Sequence, residues 1–152
     1  MVAEGISYFG LTNINIVEGT MNDFAYGTTI IFNKEDIEKI SRENHINLIL
    51  EQDGASYHKN KTNTILLGQH FGKNGWIQNP PNSPDLAFPI EDLWGIIKPR
   101  VKRREPQTLS DLKTYIIQER NSAPLSLIKN LCSGFIKKSK KCSRIERFTF
   151  RT

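Results

Sequence analysis

The hydrophobic pattern alternates in the first part of the chain and recurs at helical spacing in the second. Val2 to Tyr8 and Thr12 to Glu18 read as two strands joined at Phe9-Gly10-Leu11, a hairpin with Ile14 and Ile16 on one side. A helix capped by Asn22 or Asp23 follows, running to about Ile40 with Phe24, Thr28, Ile31, Ile37 and Ile40 as its apolar stripe; Gly27 and Asn33 weaken it and predict a break near Asn33. The run Ile46-Asn47-Leu48-Ile49-Leu50-Glu51-Gln52-Asp53 predicts a buried strand that ends at an acid. Thr62 to Phe71 predicts a short helix stopped at Gly72, and Trp76-Ile77-Gln78 a short buried strand. Alternation of strand and helix implies an α/β fold.

From Pro89 onward the pattern is helical. Ile90, Leu93, Trp94, Ile97 and Val101 fall at i, i+3, i+4, i+7 and i+11 and put one apolar stripe inward. Proline suits the first helical position, but Pro99 lacks a backbone donor and predicts an end or a kink near Lys98, with the cluster Arg100-Val101-Lys102-Arg103-Arg104 projecting past it. Thr108-Leu109-Ser110-Asp111 reads as a capping box with Asp in place of Glu, opening a helix to about Arg120 whose inward face is Leu109, Leu112, Tyr115 and Ile116. Pro124 opens a third helix, with Leu125, Ile128, Leu131, Cys132 and Phe135 inward, and Lys140 to Thr152 reads as a poorly anchored basic tail.

Charge divides the chain more sharply than hydropathy does. Up to Ile97 it carries 6 Lys and Arg against 12 Asp and Glu; from Lys98 on, the count is 15 against 4. Such a polycationic third points to a polyanionic partner, because each Lys or Arg that neutralises a phosphate releases condensed counterions and gives salt-dependent, sequence-independent affinity. Nucleic acid is the first candidate and an anionic membrane surface a distant second, with Lys98, Arg100, Lys102, Arg103, Arg104, Lys137, Lys138, Lys140 and Lys141 as the residues that would bind DNA. No apolar run is long enough to span a membrane and no signal region opens the chain, so a soluble, intracellular protein is expected. The two cysteines, Cys132 and Cys142, make neither a disulfide framework nor a zinc set. No phosphate-cradling glycine loop is present, and Ser56 beside His58 lacks the third acid and oxyanion motif of a hydrolase.

What remains are two acids in telling places, with 37 residues between them. Asp53 stands at a strand end, and Glu91 in the first turn of the helix that Pro89 opens. Gln52-Asp53-Gly54-Ala55-Ser56-Tyr57-His58-Lys59, Asn82-Ser83-Pro84-Asp85-Leu86 and Pro89-Ile90-Glu91-Asp92-Leu93-Trp94 closely resemble, in that order, blocks of the catalytic domain of mariner-type transposases. Gly5 to Gly10, Val17 to Asn22, and Tyr26 extend the resemblance over nearly the whole chain.

That family belongs to the D-D-E/D superfamily with a ribonuclease H-like fold, so the resemblance implies a mixed sheet flanked by helices. It further implies that residues 1–139 are a partial catalytic domain and 140–152 a basic C-terminal tail. Asp53 and Glu91 would be the second and third acids of a catalytic triad and would hold Mg2+ or Mn2+, two ions if the triad is completed. His58 matches a histidine of the family block, which implies a place near the metal ions or the scissile phosphate, although the residues alone allow a solvent-facing loop histidine nearly as readily. The family cuts and joins DNA in the nucleus. Its first acid lies on a strand upstream of the hairpin, and no stretch of this chain matches that strand; a missing N-terminal segment or a homo-oligomer would have to fill its place. The expectation is a transposase fragment inactive as an isolated chain, or alternatively a non-catalytic DNA-binding relic or repurposed module.

Overall fold

The computed structural model describes residues 1–53, 55–78 and 89–149, with side chains through Lys137. The chain forms two compact units, Met1–Gly5 with Thr12–Ser83, and Ile6–Leu11 with Pro84–Thr152.

In the first unit β1 (Val2–Ala3) pairs antiparallel with β4 (Asn15–Ile16), Val2 facing Ile16. Helix α1 (Asp23–Glu43) begins where the Asn22 side chain accepts from the Ala25 N–H at 2.9 Å, the Asn cap the sequence led one to expect. No break occurs at Asn33. The apolar stripe lies on a different face from the one the sequence pattern selected, because Phe24 is 83% exposed and Ile31 is also exposed, whereas Tyr26, Thr29 and Ile30 are buried. Tyr26 and Ile30 pack with Met21 and Leu67, while Asp36 accepts both the Asn13 N–H and its side-chain amide, so the hairpin is tied along α1.

The rest of this unit is a strand, helix, strand sequence. β5 (Leu50–Gln52) and β6 (Trp76–Gln78) pair in parallel, Leu50 against Trp76, with α2 (Lys61–Phe71) as the crossover. Asn60 caps α2 by accepting from the Thr62 N–H, and Gly72 closes it at φ 72°, a conformation in which a side chain would be strained. β5 is shorter than the sequence run, and the two strands are not buried on both faces. Leu50 and Trp76 pack on the core around Leu67; Ile49 and Ile77, which the alternation sends to the opposite face, are about half exposed.

The second unit joins β2 (Ile6–Ser7) and β3 (Gly10–Leu11), an antiparallel pair, to three helices. α3 (Pro89–Arg103) buries Leu93, Ile97 and Val101 around Ile128 of the last helix, α5 (Leu125–Thr149), with Ile6, Leu11 and Trp94 packed against them. Pro99 neither ends α3 nor frees the basic cluster, since Arg100, Lys102 and Arg103 all lie within the helix. The lost N–H removes one bond to Gly95, and the burial of Ile97 and Val101 on either side offsets that loss. α4 (Leu109–Asn121) has the expected capping box, the Thr108 hydroxyl accepting from the Asp111 N–H and the Asp111 carboxylate from the Thr108 N–H. Leu112, Tyr115 and Ile116 pack inward, but Leu109 is 67% exposed. α5 buries Ile128 and Cys132 and leaves Leu125 outside. No helix among the described residues is long and apolar enough to cross a membrane.

Candidate active site

Asp53 follows β5 directly, and what surrounds it is built from the neighbouring turn. Residues Ser56–His58 form one 3-10 turn, which brings the His58 ring back over Asp53. His58 Nδ1 lies 2.6 Å from Asp53 Oδ1 and 3.0 Å from the Asp53 carbonyl oxygen. Both neighbours are acceptors, so Nδ1 carries the proton and donates. Oδ1 also accepts the Ala55 N–H at 3.0 Å, a local turn of the kind Asp forms readily. One oxygen thus takes both donors, and Oδ2 accepts no hydrogen bond from the described residues. The Asp53 side chain is 53% exposed, whereas that of His58 is 12% exposed.

Aromatic contacts fix the histidine. Its ring centroid is 4.3 Å from that of Tyr26 and 4.5 Å from that of Tyr57, the latter edge-on. The Tyr26 hydroxyl donates to Gln52 Oε1, and the Gln52 amide nitrogen donates to the His58 carbonyl at 3.4 Å. Burial, and after it the Asp53 charge, raise the Tyr26 phenol well above its usual range; the same two causes raise that of Tyr57. Below this layer Asn63, 2% exposed, donates to the carbonyls of Asp23 and Tyr57 at 2.9 Å each, binding α2 to α1 and to the turn. Sequence reasoning missed Tyr57, Gln52 and Asn63. The available signal was the strand alternation, which sends Gln52 inward while Asp53 points out.

Glu91 belongs to the other unit. It sits exposed in the first turn of α3 with Asp92, beside the buried stripe of Leu93 and Ile97 and not within it. Acids in a first turn are favoured by the partial positive charge of the helix start. Of the basic residues, Lys98, Lys102 and Arg103 are exposed on α3, Arg100 is half-buried there, and Lys137 is exposed on α5. Arg104 is engaged differently, with its guanidinium 3.9 Å over the Tyr115 ring and hydrogen-bonded to Gln118 at 2.7 Å and to Glu119 at 3.3 Å. The side chains of Lys138, Lys140 and Lys141 lie outside the described residues, as do Gly54 and the stretch Asn82 to Leu86. Among the described residues no group of three His, Cys, Asp or Glu side chains gathers as a metal site. Asp53 nevertheless fits one position of such a site, since its outward oxygen is a hard, anionic donor of the kind Mg2+ and Mn2+ prefer.

No family model matches the sequence, and no curated protein matches it either. The fold, however, is similar to solved structures. A structure of the Mos1 transposase catalytic domain with raltegravir and manganese aligns at a TM-score of 0.73 and 15% identity, covering 89% of this chain and 69% of that one. A second structure of that domain, with raltegravir and magnesium, aligns at 0.74 and 14% identity, covering 93% and 79%. The mixed α/β fold of this chain is the ribonuclease H-like fold of that catalytic domain.

Proposed function

We propose that this chain is a mariner-type transposase module of the D-D-E superfamily that binds DNA and contributes two of the three carboxylates needed to cut and join it. The observation that carries this reading is the fold shared with the Mos1 transposase catalytic domain, together with Asp53 at the end of β5 and Glu91 in the first turn of α3. Asp53 and Glu91 are the residues that would hold Mg2+ or Mn2+. A bound pair of such ions activates the attacking oxygen and steadies the leaving oxygen of a phosphodiester. The chain's own part is to present the Asp53 carboxylate from a rigid strand end, to present Glu91 from a helix whose stripe is buried, and to hold the DNA backbone with the exposed cations of α3 and α5. Activity would belong to the nucleus, where the DNA substrate is.

Two carboxylates do not complete the site. The chain by itself therefore binds duplex DNA without cleaving it, and cleavage needs a third acid supplied by a further segment or by a second copy. A second reading, a DNA-binding module with no catalytic role, is favoured by the exposed cations of α3.

Plasmid nicking with Mg2+ or Mn2+ tests the first reading, using the chain alone and the chain joined to a β-strand segment that carries an aspartate. Nicking only by the extended protein, lost in Asp53→Ala and in Glu91→Ala, is the expected result. Metal-dependent nicking by the chain alone, lost in both variants, would overturn its isolated inactivity. Failure of the extended protein to nick, with DNA binding intact, would favour the non-catalytic module.

A further inference from the structure

We propose that His58 is a positioning residue for the Asp53 carboxylate, holding Oδ1 so that Oδ2 is turned out to receive a divalent cation; the inference rests on the metal-binding reading of Asp53 given above. Four observations support it. The Nδ1–H contact to Oδ1 is short, 2.6 Å, as charge-assisted hydrogen bonds are. Nδ1 also touches the Asp53 carbonyl oxygen at 3.0 Å, so the ring is registered against both the backbone and the side chain of the same residue. The ring cannot swing away without leaving Tyr26 and Tyr57, whose centroids lie 4.3 and 4.5 Å from it. Finally, Oδ1 accepts from both Ala55 N–H and His58, whereas Oδ2 of the half-exposed carboxylate accepts from neither.

The chemistry is that of an outer-shell partner. A carboxylate side chain without a fixed donor samples several rotamers, and ordering it on binding a cation costs conformational entropy. A donor fixed on one oxygen pre-selects the rotamer before the cation arrives, and such outer partners are worth about 10–100-fold in metal affinity. A histidine that instead contacted DNA or a reacting phosphate would act through Nε2, the other side of the ring. These two roles make opposite demands on substitution. Asparagine places an amide N–H close to where Nδ1–H stood, and glutamine places one nearer the position of Nε2.

Paramagnetic broadening by Mn2+ of the backbone amide signals of residues 50–58, recorded on the full chain, measures cation binding without requiring cleavage. The wild type should broaden these signals, and Asp53→Asn should abolish the effect. His58→Asn should stay close to the wild-type half-effect concentration, while His58→Gln and His58→Phe should raise it by about tenfold. Equal losses in His58→Asn and His58→Gln, or retention in His58→Gln alone, would overturn the role of Nδ1. Unchanged broadening in His58→Phe with loss in Asp53→Asn would overturn the positioning role and leave Asp53 as a cation ligand. Broadening that survives Asp53→Asn would sink both readings together.

Discussion

The Tyr26 hydroxyl donates to the Gln52 amide oxygen, joining the first turns of α1 to the residue that precedes Asp53. Gln52 is 6% exposed, so Tyr26→Phe leaves a buried acceptor without its donor and should destabilise the fold by about 1–3 kcal/mol. The phenol also makes stability depend on alkaline pH. Its folded pKa is raised from the ordinary 10.0, so the folded state holds the proton more tightly than the unfolded one. The stabilisation is fully present below about pH 10 and is lost as pH rises beyond that point. Urea midpoints measured across the alkaline range should fall less steeply in Tyr26→Phe than in the wild type. An identical decline in both proteins would count against this account.

Arg104 and its neighbours on α3 should separate in their effect on DNA. Lys98, Lys102 and Arg103 are exposed, and replacing all three by Ala should flatten the plot of log affinity against log salt by about 0.9 for each phosphate contact removed. Arg104 is held by Tyr115, Gln118 and Glu119, so Arg104→Ala should leave that slope nearly unchanged and lower the melting temperature instead. Fluorescence anisotropy with a generic duplex at several salt concentrations, alongside thermal melts, distinguishes these outcomes.

Leu93 is fully buried between Ile97, Val101 and Ile128. Leu93→Ala should cost about 2–5 kcal/mol, the range for a core leucine that leaves a cavity. Because Glu91 lies one half-turn away on the same helix, a loss of metal-dependent nicking when this substitution is made in the extended protein would report misplacement of α3. Denaturant unfolding gives the stability term on its own.

The Thr108 and Asp111 box should be worth less. Thr108→Ala removes the acceptor for the Asp111 N–H at 3.0 Å and should destabilise α4 by about 1 kcal/mol, and Thr108→Ser should recover most of it. Amide exchange in the first turn of α4 is the direct measure, since a local effect leaves α5 protected.

Legibility of the fold in the sequence followed the strength of each local signal. The caps at Asn22 and Thr108 and the stop at Gly72 come from single residues with one dominant conformational preference, and the helices start and end close to them. The stripe of α3 was readable because Leu93, Ile97 and Val101 repeat without competition. The face of α1 was not, because Phe24 and Ile31 compete with Tyr26 and Ile30 for the same periodicity, and only the partners Met21 and Leu67 decide between them. Pro99 misled for a related reason: a local penalty of one hydrogen bond was outweighed by burial that depends on α5, far along the chain. Around Asp53 the sequence pointed to the acid and to His58, but not to Tyr57 or Gln52, whose contribution is to hold other side chains and leaves no motif of its own.

Ile6 and Leu11, near the N-terminus, pack against the cluster of Leu93, Ile97 and Val101 and belong to the unit that the C-terminal helices form. A polypeptide severed between Gln78 and Pro89 would therefore yield a C-terminal product deprived of the hairpin tip that covers its leucines. Expressed separately, that product should be poorly soluble and recoverable by co-expression with the N-terminal half, so any natural truncation of this sequence has to respect an order of residues that the linear map conceals.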